Sequence, residues 1–545
     1  MTNLELRGVI GAVEIAASLQ VPLRNGGAYH NPAITGDLNL AAPTMRFSEL
    51  DEDIIPHILS FCDVQSVLRV AQTNKLLHTL ASRISVWRAL IQDLSHRRVV
   101  DVLPADVLLR SAAADLRDEV KRAVCGPVTW SPASAALPAA HRELSFKFPS
   151  PATQQSIRFL KPLLGGECAV FQRDNSLEIW SLAGGRCLWS WPVTAAYVGS
   201  IEDDGGQRLL VLLCVAGVGP LSQEKSIQIT EVELDTKEAR VVFDHWHTPS
   251  GFTYRSGSSA STPSVSRDYF AAALDTLQGE ELVVLLVNWR LRTYVAFKFE
   301  SSRSKWTVFN ATQATTVSLT FEHIIITCAL NDPPHHTLIT VYDIKSLACW
   351  LPLDDFSRQP GEYVAGIPPL VCERLRADGR ALCDPGALGL AVHRSPLCRD
   401  AYLLKLYVSF PPGAGAAPAP ARATVFTFAL ARAPGPAPGA SASLSAPAWT
   451  WRTVAAVPGV PELGAAELSL AGYVFPDRPP EAPPSAAPRG VVDALLSRDG
   501  AVRLPESPEV PLDVAGWRIA GVAPTSGALV LLNLKGQTIR FVYYR

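Results

Sequence analysis

Two kinds of hydrophobic pattern divide the chain. Between residues 45 and 95 apolar side chains recur at helical spacing: Ile54, Ile55, Ile58 and Leu59, then Val64, Val67, Leu68 and Ala71, then Leu76, Leu77 and Leu80, then Ile84, Trp87 and Leu90. Asp51, Asp63, Thr73 or Asn74, and Ser82 or Ser85 stand where helix N-caps belong, since a short oxygen side chain accepts a free amide of the first turn. The spacing predicts three or four short helices. Leu50, Ile54, Ile55, Ile58, Leu59, Val67, Leu68, Val70 and Trp87 are more apolar positions than one tiny core can take. A unit under ~60 residues also buries too little surface to be very stable alone. Either the rest of the chain or a partner covers the excess.

Residues 96–140 read as a helical linker. Pro104 suits a first turn and Gly126 a stop, with Leu109, Ala113, Leu116, Val120 and Val124 as one apolar stripe. The opposite face carries Arg117, Asp118, Glu119, Lys121 and Arg122, with Asp118 and Arg122 spaced to pair. Periodicity is lost over 127–140.

From 141 to 545 the pattern changes to short β-rich runs between Gly, Pro, Asp and Ser. Runs such as RLLVLLCV (208–215), ELVVLLV (281–287) and AYLLKLYVSF (401–410) are apolar on both faces, which belongs to sheets covered on both sides. The longest apolar run, Leu209 to Val218, reads as a buried strand pair; a membrane-spanning helix needs ~20 residues. SLEIWSLAGGRCLWSW and TLITVYDIKSLACWLPL share one layout of strand, tight turn and strand. Aligning Trp180 with Tyr342 leaves room for three or four units of ~40–50 residues, a spacing of propeller blades. The expected architecture is a large all-β propeller of six to eight blades, seven favoured, with a pair of β-sandwiches as the alternative. Stretches 411–423, 431–448 and 476–490 are rich in Pro, Ala and Gly and read as flexible loop insertions.

Composition narrows the function. Of 545 residues 48% are hydrophobic and 18% charged, and the net charge is −2, so a large core is affordable and phosphate neutralisation is not a driving force. No nucleic-acid or membrane partner is expected. The N-terminus carries Glu5 and Glu14 and no basic start before an apolar stretch, unlike a secretory signal. Ten cysteines without a CxxC pair read as thiols of a reducing compartment, cytoplasmic or nuclear. Residues 1–44 have weak periodicity and read as a flexible extension. Met45, the sole methionine besides Met1, directly precedes the helical pattern and could serve as a second start.

The segment FSELDEDIIPHILSFCDVQSVLRVAQTNKLLHTLASRISVWRALIQDL resembles an F-box. Leu50, Ile54, Ile55, Ile58, Leu59, Phe61, Asp63, Leu68, Thr73 and Trp87 fall at the family's positions. Asp51 replaces the family's usual proline, Cys62 its leucine, and Pro56 lies inside the expected first helix, where it removes a donor unless it sits in the first turn. The resemblance implies docking on a Skp-type adaptor and, through it, on a cullin scaffold, with Leu50, Ile54, Ile55, Ile58, Leu59, Val67, Leu68 and Trp87 as the adaptor-binding set. VKRAVCGPVTWSP (120–132) and LLGGECAVFQRDNSLEIWSLAGGRCLWSW further resemble a group of fungal F-box proteins with a divergent WD-like propeller.

Catalytic and metal chemistry find little support. His245 with His247, and His335 with His336, are the only close histidine pairs, and neither has a third ligand at motif spacing. GxSxG, HExxH, P-loop and dinucleotide motifs are absent, so no cofactor is expected. Arg290, Arg292 and Tyr294, beside Trp289, could line a propeller face and read an anionic peptide of a target protein. The sequence thus points to a non-catalytic substrate receptor of an SCF-type ubiquitin ligase. The alternatives are a non-ligase scaffold and a propeller enzyme with acids or histidines at the ring centre.

Overall fold

The computed structural model describes residues 50–97, 99–100, 105–125, 140–145, 157–162, 168–173, 176–182, 184–193, 196–204, 208–216, 225–234, 236–247, 252–254, 263–276, 281–300, 315–330, 336–358, 368–375, 388–410, 422–433, 449–461, 466–468, 473–476, 492–493, 495–496, 502–503, 518–522, 528–533 and 538–543. The expected extension 1–44 lies outside them, as does most of each proline-rich stretch. The edges of those stretches do fall inside. Arg422, Ala423, Ala431 and Arg432 belong to the strand Arg422–Arg432, and Pro476 ends the strand Tyr473–Pro476. The ladder with the strand Trp449–Pro461 runs the full length of Arg422–Arg432, so backbone pairing there outweighs local composition.

The first region is helical: α1 (Ile54–Ser60), α2 (Val64–Ala71), α3 (Lys75–Ala81), α4 (Ile84–His96), α5 (Ala105–Arg110) and α6 (Ala113–Cys125). Asp63 caps α2 by accepting from Ser66 N at 2.8 Å, and Asn74 caps α3 by accepting from Leu77 N at 2.8 Å, as the spacing implied. The other two caps differ. Asp53 rather than Asp51 precedes α1, and Arg83 rather than a serine precedes α4, both without a side-chain cap bond. Pro56 is the third residue of α1, where its missing N–H would have had no intrahelical acceptor, so the helix forms regularly. The linker stripe breaks between α5 and α6. Leu109 is 66% exposed while Leu116, Val120 and Ala123 are buried, and Arg122 pairs with Glu119 rather than Asp118.

The remainder is a succession of antiparallel sheets. Four-stranded sheets occupy 157–192, 196–247, 315–375 and 388–461, and a six-stranded one is built from 252–300 and Leu351–Pro352. A three-stranded sheet (466–493) and a two-stranded one (495–503) follow. The last sheet joins Arg518–Val522, Ala528–Asn533 and Thr538–Tyr543 to Ala140–Ser145, the first strand of the region. Ala140 pairs with Tyr543 and Ser145 with Thr538, so the chain's last strand is held by a strand from the other end of the β region.

Packing shows how the sheets are arranged. Of the run Leu209 to Val218, expected as a strand pair, residues 209–216 lie in one strand, Arg208–Ala216, and 217–218 fall outside the described residues. Leu209, Val211 and Leu213 pack with Val170 and Ile179 of the preceding sheet, while Leu210, Leu212 and Cys214 pack with Phe270 and Leu285 of the following one. Alternate residues of the strand thus enter different cores. The same division recurs in the next sheet, where Val283, Leu285 and Val287 face one neighbour and Val284 and Leu286 face Ile324 and Ile326 of the other. The first strands of successive sheets also touch: Ile157–Pro162 meets Ala196–Asp204, which meets Ser264–Ser266, then Thr315–Leu319, then Leu388–Arg394, and Ile157–Pro162 meets Arg518–Val522 on its other side. Sheets stacked face to face about their first strands, closed by pairing of first and last strand, make a propeller-like ring that needs no open edge. Trp180 and Tyr342 both lie on the third strand of their sheets, three sheets apart.

Candidate functional site

The helical module separates its apolar residues into two faces. Ile55, Leu59, Val67 and Trp87 are buried, together with Val64, Leu80, Leu90 and Ile91, in the module's own core. Trp87 Nε1 donates to Ala81 O at 2.9 Å and its ring lies under the Arg117 guanidinium, 5.3 Å away. Ile54 (46% exposed), Phe61 (64%), Leu68 (38%) and Leu76 (50%) face outward instead. Ile58 and Leu50 are half-buried beside them. The expected adaptor-binding set therefore divides: Leu50, Ile54, Ile58 and Leu68 reach solvent, while Ile55, Leu59, Val67 and Trp87 hold the fold. Spacing could not make this division, because Ile54-Ile55 and Ile58-Leu59 are apolar on both sides of one helix. Phe61 and Leu76 are the outward residues missing from that set. Phe61 matched the motif, and Leu76 sat beside Leu77 in an apolar pair.

One edge of this face meets the ring. The loop Ser395–Asp400, between the strands Leu388–Arg394 and Ala401–Phe410, lies against α1, α2 and α4. Arg97, which caps α4, donates through Nη1 to Ser395 O (3.1 Å) and Cys398 O (3.0 Å) and through Nε to Asp93 (2.9 Å). Arg399 reaches back to Asp93 (3.1 Å) and donates to Phe61 O (2.7 Å). Cys398 Sγ donates to Gln65 Oε1 at 2.8 Å, and Leu397 and Leu403 pack against the helical core. Burial lowers the Arg97 pKa from its ordinary value, with Asp93 opposing, and burial raises the Cys62 and Cys398 thiols, with Asp63 adding to both. These thiols stay protonated and unreactive at neutral pH.

The basic candidates sit at the same end of the ring, on the turn 289–292. Arg290 pairs with Asp268 and lies over Trp289 (4.6 Å), and Arg292 pairs with Asp354 at 3.5 Å. Tyr294 is not a surface reader. It is 2% exposed and meets the Phe356 ring edge-on at 4.9 Å, under the short helix Leu353–Arg358. The strand Leu351–Pro352 adds itself to Thr293 and Tyr294, which draws this excursion of the next sheet down over the tyrosine. A cavity of about 140 Å³ nearby is lined by Glu202, Arg208, Leu210, Glu231, Arg267, Asp268 and Arg290. Most of these charges have partners: Glu231 holds Arg208 (3.2 Å) and Arg240 (2.5 Å), Asp268 pairs with Arg290, and Glu202 accepts the Arg267 backbone amide. His335 and the side chains of His245, His247 and His336 lie outside the described residues. Among the described residues no three His, Cys, Asp or Glu side chains cluster as metal ligands.

An F-box-like family matches residues 48–93, the helical module up to the last turn of α4. No curated protein matches the chain. Among solved structures, the chain is similar to the WD40 domain of SCAP from fission yeast, with 12% identity over 71% of this chain and 81% of that one and a TM-score of 0.33. It is similar to Kluyveromyces lactis Hsv2, with 10% identity over 55% and 84% and a TM-score of 0.25. It is also similar to Drosophila Semaphorin 1b, extracellular domains 1-2, with 11% identity over 75% and 87% and a TM-score of 0.27. The chain is thus an F-box-like helical module followed by a large all-β region of many sheets.

Proposed function

We propose that this chain is the substrate-recognition subunit of an SCF-type E3 ubiquitin ligase. The F-box-like module docks on a Skp-type adaptor and, through it, on a cullin scaffold. The ring binds a target protein. The observation that carries the reading is the exposure of four apolar side chains, Ile54, Phe61, Leu68 and Leu76, which we read as one outward ridge on a module that has its own buried core. An aromatic and branched aliphatics exposed together on short helices suit a hydrophobic helix-in-groove interface. The chain supplies no chemistry in this reading. It raises the effective concentration of target near the conjugating enzyme.

The ring's two ends divide the work. In each four-stranded meander the first-to-second and third-to-fourth connections share one end. The loop Ser395–Asp400 is a first-to-second connection, so the helical module lies at that end. In this reading the target binds at the opposite end, marked by Ala216 and Lys225, Thr276 and Glu281, and Phe410 and Arg422. The seven-bladed count rests on reading the three-stranded and two-stranded sheets together as one further blade.

The test is co-purification of the full chain with a recombinant Skp-type adaptor. Loss of two such anchors, Ile54→Asp with Phe61→Asp, weakens capture by roughly 30-fold or more, since a central anchor carries about 2 kcal/mol. Unchanged capture sinks the docking model. Capture of adaptor without cullin association identifies a non-ligase scaffold instead.

A further inference from the structure

The ring finishes the hydrogen bonding of the helical module. A helix leaves its first amides and last carbonyls without intrahelical partners. Three such helix ends of this module face one loop of the ring, from residues up to 338 positions away in sequence. At the C-terminus of α1, the carbonyl of its C-cap Phe61 accepts from Arg399 at 2.7 Å. At the N-terminus of α2, the Gln65 amide donates to Leu397 O at 3.0 Å. At the C-terminus of α4, the carbonyl of its C-cap Arg97 accepts from Arg394 Nη1 at 3.3 Å, while the Arg97 guanidinium donates to Ser395 O and Cys398 O.

The contact is built rather than grazing. The Arg97 side chain is 11% exposed and spans both partners, bound to Asp93 of its own helix and to two carbonyls of the loop. Arg399 completes the reciprocal bond from the loop to Asp93. Apolar cover comes from Leu397 and Leu403. The ends of α1, α2 and α4 thus all meet this loop or Arg394, the strand residue that precedes it.

We propose that the loop Ser395–Asp400, with Arg97 and Arg399 as its anchors, is a positioning device that fixes the angle between the adaptor-docking ridge and the ring. A target held by the ring then lies at one distance from the conjugating enzyme, and only lysines within that reach are modified. This role rests on the ligase reading given above. Arg97 and Arg399 are positioning residues. Arg399 meets the outward ridge of Ile54, Phe61, Leu68 and Leu76 at one backbone carbonyl, that of Phe61, and neither arginine is one of its apolar side chains.

The test uses the full chain as wild type, Arg399→Ala and Arg97→Ala/Arg399→Ala. Arg399 is 39% exposed, so its single substitution preserves the fold even where the double one strains it. Hydrogen exchange is followed in peptides covering 61–68, where the Gln65 amide reads the loop directly, and in peptides covering 208–216 as an internal reference. The expected result is exchange at least tenfold faster in 61–68, smaller for the single variant, with no change in 208–216. Adaptor capture stays within about twofold of wild type. In a reconstituted ligase, mass spectrometry of self-ubiquitylated chain shows a narrow set of modified lysines for wild type and a wider set, reaching Lys237 and Lys345 together, for the variants. Unchanged exchange in 61–68 overturns the loop's holding role. Faster exchange with an unchanged lysine set overturns positioning and leaves a purely structural contact. Failure of the wild type to capture adaptor overturns the ligase reading and the positioning role with it, while the exchange result still decides whether the loop holds the module.

Discussion

Among the described residues His323 and Lys405 are buried bases whose pKa values burial lowers, so both contribute to the pH dependence of stability. His323, fully buried, begins its strand opposite Asp343, and its ring stands edge-on to Trp449 at 4.3 Å. Its Nδ1 meets Thr320 Oγ1 at 3.3 Å, and Nε2 has no hydrogen-bond partner among the described residues. Burial lowers its pKa to about 4, against the pull of Asp343 and Glu322, with Lys345 acting in the same direction as burial. The folded state therefore holds a neutral imidazole. Its stability is fully present above pH 6.5 and is lost as pH falls through 4, by about 3 kcal/mol in all. The stability difference between wild type and His323→Phe, measured by urea unfolding from pH 7 to below 4, should change by that amount. A difference that stays flat removes the assignment. Lys405, on a central strand and 1% exposed, is lowered by burial to about 7. Its charge is favoured in the unfolded chain, so stability rises as pH goes from 7 towards 10.5, by at most about 5 kcal/mol. Lys405→Met should flatten that rise, read as melting temperature from pH 7 to 10. A rise of the same size in the variant would show that another group sets it.

At the scale of the elements, the helices α1–α4 were legible because their apolar spacing and two of their caps, Asp63 and Asn74, are written in side-chain chemistry. The division between inner and outer faces was not legible. Neighbours such as Ile54 and Ile55 differ by one residue and by whether they face the module or solvent. Tertiary packing decides that, and the same holds for Tyr294, whose burial depends on a helix from the next sheet. The loop Ser395–Asp400 gave no signal at all, since most of its bonds to the module have a backbone carbonyl or amide on at least one side. The two faces make opposite predictions. Trp87→Ala should cost the module about 3–5 kcal/mol through the lost core ring, with fraying of α4 by circular dichroism and weakened adaptor capture as a consequence. Leu76→Ser should leave the melting curve within about 0.5 kcal/mol, as an exposed site does. Equal losses from both would mean that the ridge is part of the core.

For the whole molecule, the β runs of the sequence became the strands, and alternation into two cores explains why so many are apolar on both faces. Closure was harder to foresee. Ala140–Ser145 overlaps the β-rich run ELSFKF (143–148), but nothing in its side chains names Thr538–Tyr543 as the strand it pairs with along its whole length. Ladder hydrogen bonds, which no side-chain pattern records, do the closing. Removing 140–145 should expose the edge of Thr538–Tyr543, lower the melting temperature by several degrees and promote self-association visible by light scattering. An unaltered, monodisperse protein would show that the ring closes without that strand.

The central claim is that the outward ridge of the F-box-like module docks a Skp-type adaptor. Isothermal titration of purified adaptor into the full chain, compared with the Ile54→Asp/Phe61→Asp variant, tests it most directly. Wild type should form a one-to-one complex, and the variant should lose roughly 30-fold or more in affinity with an unchanged melting curve. No heat of binding for folded wild type, or equal affinity for both proteins, would contradict it.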